Sequence, residues 1–448
     1  MENSIQPVER MNWVVTFLIG LGFFTTGVSW ALYNAYVPLW LNDFIDNRTI
    51  VGFIMGLDNL AMIFMEPLVG TYSDRTRTRF GRRMPYLMLG IPIASFILVL
   101  LPIFRDTDLI LLMGIIICFL LMMAFYRAPV VALMPDMVPS KFRSTANGVI
   151  NLMGGFGAVY AFSVGSILYG MDPIIAFGST SLIMILALIL MLLYVREPKE
   201  IIEETNVKEV LPQHSVKSSL EEIFYNTDKT GIFILFAIFF WFVAYNALET
   251  WFTSWATNTL DYIINIKNTQ TTEKAESAAA IMLTAFSLIF VLFAIPSGLI
   301  GKKIGRSKTI KIGIPWISFF LFIGWLVGEL NFFGLTDSMQ YYMLMVLLGL
   351  AGIGWALINI NSIVIVWELG GDKKLGSYTG VYYLFSSSAA VLGPGLIGLV
   401  FDFIAGGSFN LLFPITLVCF ILAFIMMFGV KTGEENMDIN VFDTLEEL

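Results

Sequence analysis

The sequence predicts an all-α membrane protein of twelve transmembrane helices, arranged as two pseudo-symmetric six-helix bundles. Three observations carry that expectation. Hydrophobic residues make up 57% of the 448 and charged residues 13%, with a mean hydropathy of +0.79, outside the range of ordinary soluble domains. Apolar runs near the ~20 residues needed to cross a hydrocarbon core recur from Trp13 almost to the C-terminus. One long polar stretch, 197–229, divides them six and six.

The segments fall at 12–41, 50–73, 84–104, 108–136, 145–170, 174–195, 231–262, 277–300, 309–330, 338–368, 376–404 and 409–430. The first is too long for a signal peptide and continues through Tyr33, Asn34 and Trp40, so it reads as a retained helix. The expected domains are a bundle at 1–196, a cytoplasmic linker at 197–229, a second bundle at 230–432 and an acidic tail at 433–448. Cys118 and Cys419 sit in apolar runs and His214 in the polar loop, a pattern that offers no disulfide framework or Cys/His metal site. With the N-terminus inside, 21 of the 26 Lys and Arg fall in cytoplasmic segments, which places both termini in the cytoplasm. The net charge of −8 owes much to the tail and says little about a translocated ligand.

The halves carry traces of one repeat. Tyr33-Asn34-Ala35 recurs as Tyr245-Asn246-Ala247. Pro67, Gly70 and Gly81-Arg82-Arg83 are matched by Pro296, Gly298 and Gly305-Arg306. Asp136 and Gly148 correspond to Glu368 and Gly380 at one offset of 232 residues. Such repeats mark transporters that rock two related bundles around a site near the bilayer midplane.

The loop after the second segment runs from Gly70 through Asp74-Arg75, Arg77 and Arg79 to Gly81-Arg82-Arg83. A carboxylate at a helix end followed by dense guanidinium groups can form bidentate pairs with acidic residues of a neighbouring helix. Asp74, Arg75, Arg79, Arg82, Arg83, Asp136, Arg143 and Glu368 are therefore candidates for a cytoplasmic gate. The loop resembles the signature of the major facilitator superfamily. The residues inserted between Asp74-Arg75 and Gly81-Arg82-Arg83 make it similar to the glycoside–pentoside–hexuronide:cation symporters, and among those to sucrose–proton symporters and their bacterial relatives. Arg127-Ala128, Ala132-Leu133-Met134-Pro135-Asp136 and Arg143-Ser144-Thr145-Ala146-Asn147-Gly148 agree with that resemblance. It implies the major facilitator fold, with segments one, four, seven and ten lining a cavity, and a functional role for Arg127. The chain departs from the sodium-coupled members: Met62 stands where the first of two cation-binding aspartates would be.

Ionisable groups inside a membrane are expensive and need a cavity or a partner. Asp58, Glu66, Arg127 and Glu249 are such groups, and they are the candidates for proton coupling. Glu66 and Arg127 lie at similar depth and can pair. Trp241, Tyr245 and Glu249 share a helical stripe. Aromatic faces beside mixed donors and acceptors suit a sugar, which nominates Trp30, Tyr33, Asn34, Arg127, Trp241, Tyr245, Asn246, Glu249, Trp355 and Asn359 for substrate binding.

The Gly393-Pro394-Gly395-Leu396-Ile397-Gly398 string follows no strand and is not a dinucleotide site. No nucleophile–base pair, metal cluster or phosphate loop argues for an enzyme. The expected function is proton-coupled symport of a di- or oligosaccharide or glycoside by alternating access across the plasma membrane, by a monomer without a cofactor or nucleic-acid partner. The alternatives are transport of an amphiphilic lipid or other organic solute, or a non-transporting membrane sensor.

Overall fold

The computed structural model describes residues 11–138, 142–197, 216–370 and 375–431. The acidic tail, linker residues 198–215, with His214 among them, and the Arg143 side chain lie outside the described residues. The first half comprises α1 (Trp13–Phe44), α2 (Arg48–Arg75), α3 (Met84–Phe104), α4 (Leu109–Met137), α5 (Arg143–Tyr160) and α6 (Pro173–Tyr194). The second comprises α7 (Thr230–Thr259), α8 (Thr272–Ile304), α9 (Arg306–Gly328), α10 (Asp337–Gly370), α11 (Leu375–Phe403) and α12 (Leu412–Phe428). Among the described residues, eleven helices are long and apolar enough to cross a membrane, and α12 adds a shorter apolar helix of 17 residues.

Polar caps set several helix starts. The side chains of Asn12, Asn47, Asp108, Asp172 and Thr271 each accept a backbone N–H of the first turn, satisfying donors that a helix leaves open. Of two short helices, Val216–Tyr225 lies within the expected linker and Asp261–Thr269 begins at the end of segment seven and runs past it. The eighth segment begins earlier than hydropathy places it, because Thr271 caps a polar first turn that extends α8 outward. Past Tyr160, α5 widens into a π-helical turn, Ala161–Gly165, and resumes as Ser166–Tyr169.

The packing repeats between the halves. α1 packs on α5 and α6, α2 on α4 and α3 on α6; likewise α7 packs on α11 and α12, α8 on α10 and α9 on α12. The halves meet through α1 with α7, α2 with α11 and α5 with α8. Where α2 crosses α11, Gly52 and Gly56 lie against the backbone carbonyls of Pro394 and Val391, so no larger residue fits without displacing main chain.

The side-chain hydrogen bonds that join the halves gather at the end away from the Arg-rich loop. Asp402 accepts from the Arg48 and Thr49 N–H groups at 3.1 and 2.9 Å and from the Thr49 hydroxyl at 2.7 Å. Ser277 donates to the Ser166 carbonyl at 2.6 Å. That end is closed.

Candidate functional site

Ionisable and aromatic side chains from both halves meet at mid-depth. α2 supplies Asp58, a buried residue whose Oδ1 accepts from the N–H and the Nδ of Asn59 at 2.5 and 2.7 Å. Arg127 and, from the other half, Glu249 lie within electrostatic range of it. Asn34 and Tyr245 are the polar neighbours of Glu249, one from each half. The Tyr33 hydroxyl, near Asp58, has no hydrogen-bond partner among the described residues.

Two ring clusters flank these groups. In the first half Trp30 meets Tyr33 and Phe119 edge-on at 5.7 and 5.9 Å, and Tyr33 stacks on Phe119 at 5.6 Å. In the second half Tyr245 and Trp355 are parallel at 4.2 Å, with Phe242 against the edge of Trp355. Stacking of this kind fixes ring planes and presents flat apolar faces. Behind Tyr245 and Glu249 a narrow crevice enters the second half, walled by Phe162, Leu248, Phe252, Leu283, Phe286 and Phe420 among others.

One helical stretch nearer the Arg-rich end, Arg127 donates to Glu66 at 2.8 Å, with both side chains 35% exposed. The same guanidinium touches the sulfur of Met62, and Tyr383 of the opposite half lies within range of the pair. Asp58 and Glu66 are thus not equivalent: Glu66 takes the arginine, while among the described residues Asp58 takes its neighbouring asparagine in hydrogen bonds.

Some candidates sit elsewhere. Trp241 is fully buried, and its indole N–H has no partner among the described residues. Four and eight residues along a helix place it ~40° from Tyr245 and ~80° from Glu249, so the stripe drifts around the helix. The Asn246 amide donates to the Phe242 carbonyl at 2.7 Å, and the Asn359 carbonyl accepts from Ser362 at 2.8 Å. Both remain partly accessible.

At the Arg-rich end the gate candidates form a brace inside one half. Asp136 receives Arg82 at 2.5 and 3.1 Å and Arg83 at 2.8 Å. Arg83 also binds Asp74 and Ser73. Desolvation lowers the Arg83 pKa, but Asp136 and Asp74 outweigh it and raise the value above the usual arginine range. Glu197, which sequence reading did not single out, accepts the N–H groups of Arg82, Arg83 and Met84 at 2.6 to 3.0 Å and so closes the N-terminus of α3. Arg79 instead lies over the Phe80 ring, and Arg75 is exposed. The second half repeats the arrangement loosely: Arg306 is 3.9 Å from Glu368 and donates to Asn361 at 2.8 Å. Gly81 and Gly305, each just before these arginines, have φ of 106° and 96°, a backbone region that favours glycine.

The opposite end holds residues that hydropathy hides. Arg105 donates to Glu273 at 2.7 Å, and Tyr169 donates to Glu276 at 2.6 Å, both across the halves. Both glutamates precede the apolar run of segment eight, and their partners lie more than a hundred residues away. The acidic first turn of α8 was the one available signal.

Twelve helices in two repeated bundles, with charged groups where the bundles meet, define a membrane transporter rather than an enzyme. The chain belongs to the Major Facilitator Superfamily, whose sequence profile matches residues 19–263 and 263–438. It is 22% identical over 432 residues to the isoprimeverose transporter of Lactiplantibacillus pentosus, covering 90% of this chain and 82% of that protein. The fold is similar to the nucleoside transporter NupG, with a TM-score of 0.63 and 14% identity over 94% of this chain and 100% of that one. It is also similar to the D-xylose-proton symporter, with a TM-score of 0.62 and 14% identity over 94% and 98% of the two chains. The family needs no cofactor, and among the described residues no His, Cys, Asp and Glu cluster could hold a metal ion.

Proposed function

We propose that the protein is a proton-coupled symporter of a di- or oligosaccharide or glycoside, working by alternating access in the plasma membrane. The observation that carries this reading is that Asp58 and Glu249, one from each half, lie within electrostatic range of each other, beside a Tyr33 hydroxyl with no partner among the described residues and the parallel Tyr245–Trp355 rings. Ring faces suit the C–H surface of a sugar, and the carboxylates, Asn34 and Tyr33 suit its hydroxyls. Carboxylates that take up and release protons as the site changes its exposure couple that solute to the proton gradient. The likeness to an isoprimeverose transporter and the positive charge of the Gly70–Arg83 loop support the substrate class and a cytoplasmic placement of that loop. In this reading the described state faces inward, and the Arg127–Glu66 pair is a switchable partner for the proton or the sugar.

The test is uptake of isoprimeverose and a panel of other disaccharides into proteoliposomes under an imposed pH gradient, with and without sodium. A proton-driven, sodium-independent signal that falls in D58N, E249Q and R127Q supports the reading. Uptake driven by sodium alone, or no movement of any sugar, overturns it. The apolar crevice behind Glu249 favours a second reading, an amphiphilic solute, which competition by alkyl glycosides of increasing chain length separates from the first.

A further inference from the structure

At the outer end Glu276 is 7% exposed and ties α8 to the first half through the Tyr169 hydroxyl. Tyr169 is itself held in place. Its ring stacks on Tyr36 at 3.6 Å, and its oxygen accepts from the Trp40 indole at 3.1 Å and from Arg105 at 3.4 Å. A polar cavity runs beside Glu276 between the halves, lined by Asn42, Asp43, Arg48, Asn258, Lys267 and Thr272 among others. Within it Asn42 Oδ1 and Arg48 Nε are buried without hydrogen-bond partners among the described residues.

The charged and titratable surroundings of Glu276 are few. Asp43 of α1, Arg105 after α3 and Glu273 of its own helix lie within electrostatic range, and Tyr36 stands behind Tyr169. Arg48 and Lys267 line the same cavity as Glu276. Asp106 is engaged with Arg105 at 3.1 Å. Tyr341 of α10 donates to the Ala278 carbonyl at 2.8 Å.

We propose that Glu276 is an outer protonation site that controls access from the extracellular side, separate from the carboxylates at mid-depth. As an anion it takes a charge-assisted bond from Tyr169, and such bonds are about twice as strong as neutral ones. A proton arriving through the polar cavity turns the bond into a neutral one and loosens the two halves. External acid therefore favours outer opening, and alkaline conditions favour the closed end described here. No sugar enters this argument, so it stands or falls independently of the substrate reading.

Spin labels at Thr107 and Asn268, exposed outer positions of the two halves, report the gap in nanodiscs once Cys118 and Cys419 are replaced by serine. Between pH ~8.5 and ~5.5, a range wide enough to titrate a buried carboxylate, the wild type should gain a longer-distance population as the pH falls. Glu276→Gln should show that population throughout, with the open-to-closed ratio at alkaline pH raised about tenfold. Tyr169→Phe keeps the carboxylate but removes its donor, and should move the opening midpoint to higher pH. It decides the matter if the glutamine variant does not fold. A wild-type gap indifferent to pH, a wild-type pH response retained in E276Q, or an unmoved midpoint in Y169F overturns the proposal.

Discussion

Replacing Asp136 with asparagine removes the carboxylate that the guanidinium groups of Arg82 and Arg83 share. The side chains of Asp136 and Arg83 are 14% and 5% exposed, so the pair is largely withdrawn from water. Breaking a buried pair costs about 3–5 kcal/mol. Arg83 keeps Asp74 and Ser73, which brings the expected loss to about 2–3 kcal/mol. For a bundle near two hundred residues each kcal/mol is worth roughly 2–4 °C, so Tm should fall by about 5–10 °C. The equivalent change in the second half, Glu368→Gln, removes a partner 3.9 Å from Arg306. A contact that long is worth at most about 1 kcal/mol, or roughly 2–4 °C. Tryptophan-monitored thermal unfolding in detergent measures both. Equal shifts, or a larger one for E368Q, would refute the view that the brace is tight in one half and loose in the other.

Four further outcomes follow from the same geometry. In the uptake assay R127Q and E66Q should each reduce proton-driven transport more than about tenfold, and the double variant should lose less than the two effects combined, because the residues act as a pair; additive losses count against it. Gly81→Ala should cost about 1–2 kcal/mol from its positive φ, and more because a Cβ there meets Glu197; circular dichroism melts measure the loss, and an unchanged melt would count against it. Trp355→Ala should raise the half-saturating sugar concentration about threefold to tenfold through loss of the Tyr245 stack, with little change in maximal rate, and an unchanged half-saturation would remove Trp355 from the site. Burial raises the Glu329 carboxyl above the usual glutamate range, against the Trp255 indole, which lowers it. With the folded value raised, its stabilising contribution is present in acid and is lost as pH rises through that value, so E329Q should flatten the pH dependence of Tm on that limb; an unchanged profile contradicts it.

Hydropathy made the helices legible because a lipid solvent leaves little choice: backbone polar groups must pair internally, and a long apolar helix does so within a single segment. The 232-residue offset likewise anticipated that Asp136 and Glu368 each sit opposite an arginine of the preceding loop. Glu66 with Arg127 could be read from depth alone, since both are counted from a common membrane boundary. The contacts at the end away from the Arg-rich loop were not legible. Tyr169, Arg105, Glu273 and Glu276 sit in separate stretches whose meeting depends on how the halves dock, and docking leaves no periodicity in the chain. Trp241 shows the limit of a helical stripe: spacing at i, i+4 and i+8 drifts around the helix, and its first member is fully buried. Glu197 was hidden because its partners are backbone N–H groups, which any sequence would supply.

The widened turn at Ala161–Gly165 gives α5 one residue more than a regular helix of its length would hold. That surplus sets the rotational phase of everything beyond it, including Ser166 and Tyr169. Removing a single residue from the turn should restore regular winding and swing the outer end of α5 by ~100°. The Tyr169 hydroxyl would then point away from Glu276, although no residue touching either group had been altered. Insertions and deletions in this short stretch are thus a route by which related chains could retune outer access without touching the central site.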